Sequence, residues 1–417
     1  MAGLSFYDKN QNFWQLASIQ SAAMGLPVIL VGGVIAQKYG FGSALLAVVL
    51  GNLVLWAVGL AIIGMTVQKR TNAIENTEIY LSRTGAVIAS VVLGVAFLIW
   101  YTLQLQFATT SLAQVMPAVF AKAEALELRL GAVLGIFIAL LSLLGMRGIK
   151  QIAVFSLPFL FFYVIYVLIF SRPEIVQEKE MRISLSAIVM AMTVTFPGII
   201  NLPTFFRHAR SKAHAVLGLT VMTAFVIFFQ CFTVWAGLSD PAQIFNFVFK
   251  QDGGIHLILT VLFILVSLTC INLVNIYFAS AAWEMIFKRG AGAKEYAIVG
   301  LGGTAVFTFM QLSKPMYFIE NMANNFIGSL GAVLLIAFIV KMVVKHRPRP
   351  MEKWVSMGCW MIGCAVASIA QVAHPEDISH SFLVGIGASF LAFILVLFIE
   401  ETIWSVQTLM RRKNRRH

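Results

Sequence analysis

Two short stretches, Met24-Gly25-Leu26-Pro27 and Phe196-Pro197-Gly198, interrupt apolar runs and decide how this sequence is read. Each lies within a run of about 20 residues, the length of helix that spans roughly 30 Å of hydrocarbon. Proline removes a backbone N–H and clashes with the preceding turn, so it frees backbone groups that need other partners. One such proline could simply kink a helix. Two of them at similar depth, five runs apart, predict a pair of interrupted helices.

Apolar runs recur along all 417 residues, of which 59% are hydrophobic and 12% are charged. A soluble globular domain could not bury this many apolar side chains. We therefore predict an all-α membrane protein with about twelve transmembrane helices in a single domain, residues 1–417. The predicted spans, numbered 1 to 12, are Leu16–Gln37, Phe41–Thr66, Gly85–Val115, Leu130–Met146, Gln151–Ser171, Leu185–Phe206, Ala215–Leu238, Ile255–Phe287, Tyr296–Ser313, Met316–Val344, Trp354–Ala373 and Ser381–Met410.

The distribution of basic residues predicts the orientation of these spans. Most of the 30 Lys and Arg residues fall in loops on the side of both termini, and the tail after Met410 is strongly basic. The positive-inside rule then places both termini in the cytoplasm, as in a multi-pass protein of a bacterial inner membrane. The formal charge of +12 could indicate nucleic acid. The basic tail is better explained by contact with anionic lipid head groups, so membrane lipid is the expected partner and nucleic acid is not.

Enzyme and metal chemistry are not predicted. The four cysteines lie in apolar segments, where packing explains them better than disulfides or metal binding. None of the seven histidines falls in mid-span, and paired metal-ligating histidines and a Walker motif are absent from the sequence. We therefore expect no enzyme activity, no cofactor and no ATP-driven step on this chain.

Polar side chains inside the apolar spans mark a candidate cavity. In span 3, Trp100 and Gln104 lie four residues apart, so a flat ring and an amide share one helix face and could stack on and hydrogen-bond a heterocycle. Amides in hydrocarbon must face protein or a water-filled cavity. They could equally bond helix to helix, at about 0.6 kcal/mol each. The amides concerned are Asn272 and Asn275 in span 8, and Asn321, Asn324 and Asn325 in span 10.

Paired interruptions are typical of secondary transporters built from inverted repeats, which bind solute between two broken helices. Residues 16–171 and 185–344, spans 1–5 and 6–10, would be the two repeats, and residues 354–410 would be peripheral. The predicted solute-binding residues are Met24, Gly25, Leu26, Trp100, Gln104, Thr195, Phe196, Pro197, Gly198, Asn275, Asn321, Asn324 and Asn325.

Residues 16–344 resemble nucleobase-cation-symport family one, the cytosine and purine permeases and hydantoin transporters. The motifs that carry the resemblance are Leu30-Val31-Gly32-Gly33, Gly51-Asn52-Leu53, the position of Trp100, and Phe205-Phe206-Arg207 with Arg210. The resemblance implies a LeuT-type fold of two inverted five-helix repeats, alternating access, and coupling to Na⁺ or H⁺.

The chain also departs from this family. Members that use sodium carry neighbouring hydroxyl residues on span 8, where the matching positions here are Ile271 and Asn272. The candidate ion-binding residues are Ala23, Thr269 and Asn272. Thr204 stands where the family has an acidic residue, and span 10 lacks the family's Ala-Asp-Tyr, which favours a solute other than cytosine.

The leading hypothesis is therefore an importer of a small, planar, nitrogen-rich solute such as a nucleobase. An amino-acid or amine permease of the same fold is the alternative. A membrane sensor without transport activity is a third reading. No sequence feature indicates an oligomeric state.

Overall fold

A computed structural model describes residues 11–67, 69–121, 125–170, 181–237, 254–286, 292–313, 316–344, 350–375 and 377–414. This part of the chain is helical and contains no β-strand longer than an isolated bridge. Its helices are α1 Phe13–Ala22, α2 Leu26–Tyr39, α3 Phe41–Thr66, α4 Ala73–Val115, α5 Pro117–Phe120, α6 Leu126–Leu141, α7 Gly145–Phe170, α8 Leu185–Thr193, α9 Phe196–Phe206, α10 Lys212–Ala236, α11 Gly254–Trp283, α12 Ala293–Ser313, α13 Met316–Val344, α14 Pro350–Ala373 and α15 Ile378–Asn414.

The helices account for all the predicted spans. By length and composition, eight helical segments in the described part of the chain could cross a membrane, or up to ten if each of two bent pairs is one span. One of the eight, Leu126–Phe170, holds predicted spans 4 and 5, which separate where Gly145 adopts a φ of +64° between α6 and α7. Helix α12 covers span 9. The chain is thus a multi-pass membrane protein, and its predicted all-α class is confirmed.

Helix α4 is longer than predicted span 3. It starts at Ala73 instead of Gly85, and Ser82 interrupts it with a φ of +69°. The helical turns before Ser82 are capped by Asn72, whose side chain accepts from Glu75 N (2.7 Å), while the Glu75 carboxylate accepts from Asn72 N (2.8 Å). This capping box starts a short helix that the apolar pattern does not reveal, because the polar run Glu75-Asn76-Thr77-Glu78 separates its apolar residues.

Predicted span 1 is broken in the structure. Helix α1 ends at Ala22, α2 begins at Leu26, and the two axes differ by 62°. Pro27 is the second residue of α2, a position where the missing N–H has no helical acceptor anyway. The proline therefore starts the second half-helix, instead of clashing with a turn before it.

Predicted span 6 is broken in the same way. Helices α8 and α9 differ in direction by 42°, and Pro197 is the second residue of α9. Thr195 precedes α9 as Gly25 precedes α2, so each second half-helix starts with a cap residue, one further residue and a proline. The shared pattern explains why the two breaks could be paired from sequence.

Helix α2 is fixed against α10 by close packing and buried hydrogen bonds. Gln230 Nε2 donates to Val28 O (3.1 Å), Thr233 Oγ1 donates to Ile29 O (2.6 Å), and Asn52 Nδ2 donates to Gln230 Oε1 (2.7 Å). Asn52 of the Gly-Asn-Leu motif thus links α3 to this contact. These bonds hold the second half of span 1 in place.

Replacing Gly32 by alanine is expected to destabilise the fold by about 1–3 kcal/mol, because an added methyl overpacks a closed interface. A Cβ there would meet the Gln230 carbonyl oxygen and lie 2.7 Å from Thr233 Oγ1. Thermal unfolding in detergent measures the change. Gly387→Ala on α15 is the matched control, because nothing lies within 4 Å of its Cβ position. Equal melting temperatures for the two variants would contradict the close contact.

An ion pair joins the end of α9 to the end of α11. The Arg207 guanidinium donates to both carboxylate oxygens of Glu284, from Nη1 at 3.3 Å and Nη2 at 3.2 Å. Nη2 also donates to Tyr277 OH (3.3 Å), and Asn72 Nδ2 donates to Glu284 Oε2 (3.3 Å). Burial lowers the pKa of Arg207, but its contacts with Tyr277 and Glu284 raise it by more, so the pKa lies above its usual value. The buried guanidinium therefore stays charged.

The backbone before α1 pairs with the backbone after α9. Gln11 N donates to His208 O (3.0 Å), and Arg210 N donates to Gln11 O (2.8 Å). The two bonds form an isolated parallel bridge between Gln11 and Ala209. The start of span 1 and the end of span 6 are therefore joined by main-chain atoms.

Candidate functional site

A cavity of about 680 Å³, part of it open to solvent, lies where the two breaks meet. The half-helices α1, α2 and α9, the turn before α9, and helices α4, α10 and α11 surround it. Its lining residues are Gln20, Ala23, Met24, Val28, Phe97, Trp100, Gln104, Val194, Thr195, Pro197, Gly198, Ile199, Leu202, Met222, Val226, Ile271, Val274, Asn275 and Phe278.

Trp100 contributes an aromatic surface to this cavity. Its indole Nε1–H donates to Asn324 Oδ1 of α13 (3.2 Å), which uses the only hydrogen-bond donor of the ring. The bond also fixes the orientation of the indole. Trp100 therefore offers a solute its apolar ring and no further hydrogen bond. Asn324 holds the indole in place and does not itself line the cavity.

Gln104 lies one helical turn from Trp100 and packs against the first break. A Cβ at Gly25 would lie 2.6 Å from Gln104 Oε1 and 2.8 Å from Nε2. Glycine at position 25 is thus what lets the amide approach the backbone of the break. A side chain at position 25 would force the Gln104 amide to shift from its present place in the cavity wall.

Asn275 supplies an amide from α11. Its Nδ2 donates to Asn272 Oδ1 (3.2 Å), and Asn272 Nδ2 donates to Tyr101 O of α4 (3.2 Å). Asn275 lines the cavity, whereas Asn272 lies behind it and is fully buried. The two amides of span 8 therefore differ in location, although the sequence analysis grouped them as candidates to face protein or a cavity.

Two further polar groups of the lining have no hydrogen-bond partner among the described residues. They are Gln20 Nε2 on α1 and Thr195 Oγ1 before α9, and both atoms are buried. An unpaired buried polar atom costs about 1–3 kcal/mol, so a solute that pairs with it gains affinity. Gln20 was missed from the sequence, although its spacing of four from Met24 places it on the same helix face.

Several other predicted residues lie away from the cavity lining. Phe196 packs edge-on against Phe382 of α15, with ring centroids 5.3 Å apart. Asn325 Nδ2 donates to Gln371 Oε1 (2.9 Å) and Ser381 Oγ (3.2 Å), so it bonds α13 to α14 and α15. Asn321 is buried but does not line the cavity. The side chain of Leu26 lies outside the described residues.

The freed backbone of the first break meets a hydroxyl of α11. Ser267 Oγ donates to Met24 O at 3.2 Å. Of the predicted ion-binding residues, Ala23 lies in this break, and Thr269 Oγ1 donates to Leu265 O of its own helix (2.7 Å). Ser267 is one of several polar residues on span 8 and was not among the predicted ion-binding residues, because its spacing does not show that it meets the first break.

None of the cavity-lining residues carries a formal charge. No group of three or more His, Cys, Asp or Glu residues in the described part of the chain could hold a metal ion. The lining combines one indole, three amides and one hydroxyl with aliphatic and aromatic side chains. Such a site suits a neutral, flat solute with polar edges.

No protein-family model matches the chain, and no curated protein matches its sequence. Solved structures do match. The chain is similar to Mhp1, a nucleobase-cation-symport-1 family transporter in a closed conformation with bromovinylhydantoin bound, with 13% identity, a TM-score of 0.71, and coverage of 95% of this chain and 94% of that one.

Two other transporters are similar over most of their length. A Na⁺-coupled sialic acid symporter in a substrate-bound outward-open state has 12% identity and a TM-score of 0.66, with coverage of 92% of this chain and 89% of that one. MhsT in complex with L-phenylalanine has 14% identity and a TM-score of 0.63, with coverage of 92% and 98%. At these identities the similarity shows a shared fold. The LeuT-type fold class implied by the sequence resemblance is confirmed.

Proposed function

We propose that the chain is a secondary transporter of nucleobase-cation-symport family one, which imports a small, neutral, nitrogen-rich ring by alternating access. The observation that carries this proposal is the uncharged cavity between the two helix breaks, with the Trp100 indole and the amides of Gln104 and Asn275 in its wall. The similarity to Mhp1 supports it. The proposal involves no enzyme activity and no cofactor.

The proposed solute is a nucleobase or a related heterocycle. A flat ring can stack on the indole of Trp100, which gains most when both surfaces leave water. Its polar edges can then pair with Gln20, Gln104, Thr195 or Asn275. The remaining predicted contacts, Met24, Gly25, Pro197 and Gly198, would close the cavity at the two breaks.

An amino-acid permease of the same fold is the alternative, and MhsT supports its plausibility for this fold. Such a protein needs donors for a carboxylate, which helix N-termini commonly provide. Here Pro27 and Pro197 occupy the second position of α2 and α9, so each half-helix lacks one of its free N–H groups. The lining also offers no Lys, Arg or His. Both observations favour a neutral solute.

For coupling to Na⁺, we place the ion at the contact between the first break and α11; for the alternative, a proton, we assign no site. The oxygens available there include the Met24 carbonyl and the hydroxyl of Ser267, and oxygen ligands are those that hard cations prefer. Ala23 and Thr269 remain candidate ligands beside them. An ion bound there would link α1 and α11 and so connect its binding to the shape of the cavity.

The proposed topology keeps residues 16–171 and 185–344 as inverted repeats and residues 354–410 as peripheral helices. We further propose that both termini face the cytoplasm of a bacterial inner membrane, where the basic loops and tail contact anionic lipid. The excess of basic residues in loops on one side supports this orientation.

Uptake into liposomes tests the proposal. Purified protein would be reconstituted and supplied with radiolabelled uracil, cytosine, hypoxanthine, adenine or a 5-substituted hydantoin, with and without a Na⁺ gradient. We expect at least one ring to accumulate and L-phenylalanine not to compete. Accumulation of L-phenylalanine without any ring would favour the amino-acid permease. Binding of a ring that never crosses the membrane would favour the sensor.

A further inference from the structure

Two buried amides of α11 form a chain of hydrogen bonds that ends at the cavity. It starts at the main-chain carbonyl of Tyr101 on α4, which accepts from Asn272 Nδ2 (3.2 Å). Asn272 Oδ1 in turn accepts from Asn275 Nδ2 (3.2 Å). Both asparagines are buried, with 0% and 4% of their surface exposed. Only Asn275 belongs to the cavity lining.

The Tyr101 carbonyl determines the orientation of the side-chain amides of both Asn272 and Asn275. A carbonyl oxygen can only accept, so the atom of Asn272 that faces it must be the amide nitrogen. The oxygen of Asn272 then faces Asn275 and requires a donor there, which must be the nitrogen of Asn275. The orientation of each amide follows from a main-chain atom whose identity is not ambiguous. Asn275 Oδ1, an acceptor, takes no part in this chain of bonds and is left for a solute, together with the second hydrogen of Nδ2.

Trp100 cannot replace this contact. Its only donor is already used by Asn324, so it holds the plane of a ring without reading the ring's polar atoms. Recognition of the polar atoms of the solute must therefore come from the polar side chains at the edges of the cavity. Among the lining amides, Asn275 has an orientation fixed by the protein itself.

We propose that the α11 wall selects solutes that present an N–H donor to Asn275, and that Asn272 is the positioning residue that sets this preference. The inference rests on the proposed function and narrows its solute class to rings with a free N–H at this edge. A solute that turns an acceptor toward Asn275 Oδ1 leaves two buried acceptors facing each other. In this role Asn272 uses its amide within the protein, which replaces the ion-binding role predicted for it.

The test uses neutral rings of one shape whose donors and acceptors are exchanged. Uracil and cytosine form one such pair, and hypoxanthine and adenine form another, because a ring N–H beside a carbonyl in one member becomes a ring nitrogen beside an amino group in the other. The affinity ratio within a pair is measured on purified full-length protein by titration calorimetry. Because the two members of a pair have the same shape, their affinity ratio measures whether the site prefers a hydrogen-bond donor or an acceptor.

Wild-type protein should prefer one member of at least one pair by about tenfold, the effect of about one mismatched buried hydrogen bond. In Asn272→Leu the amide of Asn275 can rotate, so the ratio should fall to within about threefold of one. In Asn272→Asp a protonated carboxyl can donate to Tyr101 O and accept from Asn275, so we expect this variant to keep the wild-type ratio. Thr308→Val, which removes a bond within α12, is the control.

The outcomes separate this inference from the function on which it rests. An affinity ratio near one in the wild-type protein overturns the inference. A wild-type ratio in Asn272→Leu also overturns it, and so does the loss of that ratio in Asn272→Asp. If a hydantoin binds but none of the four bases does, the inference is overturned and the transporter proposal stands. If no ring binds at all, both fail.

Discussion

Replacing Trp100 by alanine is expected to lower the affinity of the cavity for ring-shaped solutes by about ten- to a hundredfold. Stacking of a base on an aromatic side chain contributes about 1–3 kcal/mol when measured by alanine substitution. The loss also leaves Asn324 Oδ1 without the indole N–H that it accepts in the native protein. Equilibrium binding of each labelled ring, followed by initial uptake rates, measures the effect. Both members of a donor–acceptor pair should weaken equally.

Trp56→Ala is the matched control for this variant. Trp56 on α3 also donates its indole N–H to a neighbouring helix, through Thr220 Oγ1 at 3.0 Å, but does not line the cavity. The Trp56→Ala substitution therefore removes a similar side chain and a similar hydrogen bond but leaves the stacking surface of Trp100 in place. Equal binding by wild type and Trp100→Ala would reject the stacking role. Equal losses in both tryptophan variants would indicate a general packing effect instead.

Replacing Arg207 by glutamine is expected to destabilise the protein by about 3–5 kcal/mol, because it leaves Glu284 as a partly buried charge without its partner. Arg207 itself is 7% exposed, and its guanidinium holds both carboxylate oxygens of Glu284. The measurement is thermal unfolding in detergent, with the melting temperature compared at one protein concentration. The double variant Arg207→Gln with Glu284→Gln should recover part of the loss, since it removes both charges.

Arg210→Gln serves as the control for Arg207. It lies three residues further along, and its side chain is exposed, so a single exposed charge is removed. We expect its melting temperature to stay within about one degree or two of wild type, in keeping with a change of about 0.5 kcal/mol. A double variant as unstable as Arg207→Gln alone would show that the ion pair is not the cause of the destabilisation.

The topology could be predicted from the sequence because lipid imposes a length and an apolar composition on each span. Predicted spans 2, 6 and 10 have the ends that α3, the α8–α9 pair and α13 show. The paired breaks could be predicted because a proline and a glycine interrupt both apolar runs at a similar depth, five runs apart. The helical turns from Ala73 to Ser82 could not be predicted, since the polar run Glu75-Asn76-Thr77-Glu78 breaks their apolar pattern.

The candidate site was only partly predictable. Trp100, Gln104 and Asn275 stood out because they are polar or aromatic groups in apolar runs, and the structure brings them to one cavity. The three asparagines of span 10, Asn321, Asn324 and Asn325, could not be told apart from sequence. In the structure Asn324 accepts from the Trp100 indole, whereas Asn325 bonds to α14 and α15. An amide shows by its position that it needs a partner, but not which partner. Apolar lining residues such as Met222 resemble lipid-facing ones in sequence.

The main-chain bridge between Gln11 and the residues after α9 has a consequence for how this protein can vary. Because peptide groups and not side chains make the two bonds, replacing the exposed side chain of Arg210 by any residue other than proline would keep them. A displacement of α1 would therefore carry the end of α9 with it in such variants. The connection between the two half-helices therefore depends on the main chain and not on the exposed side chain at position 210.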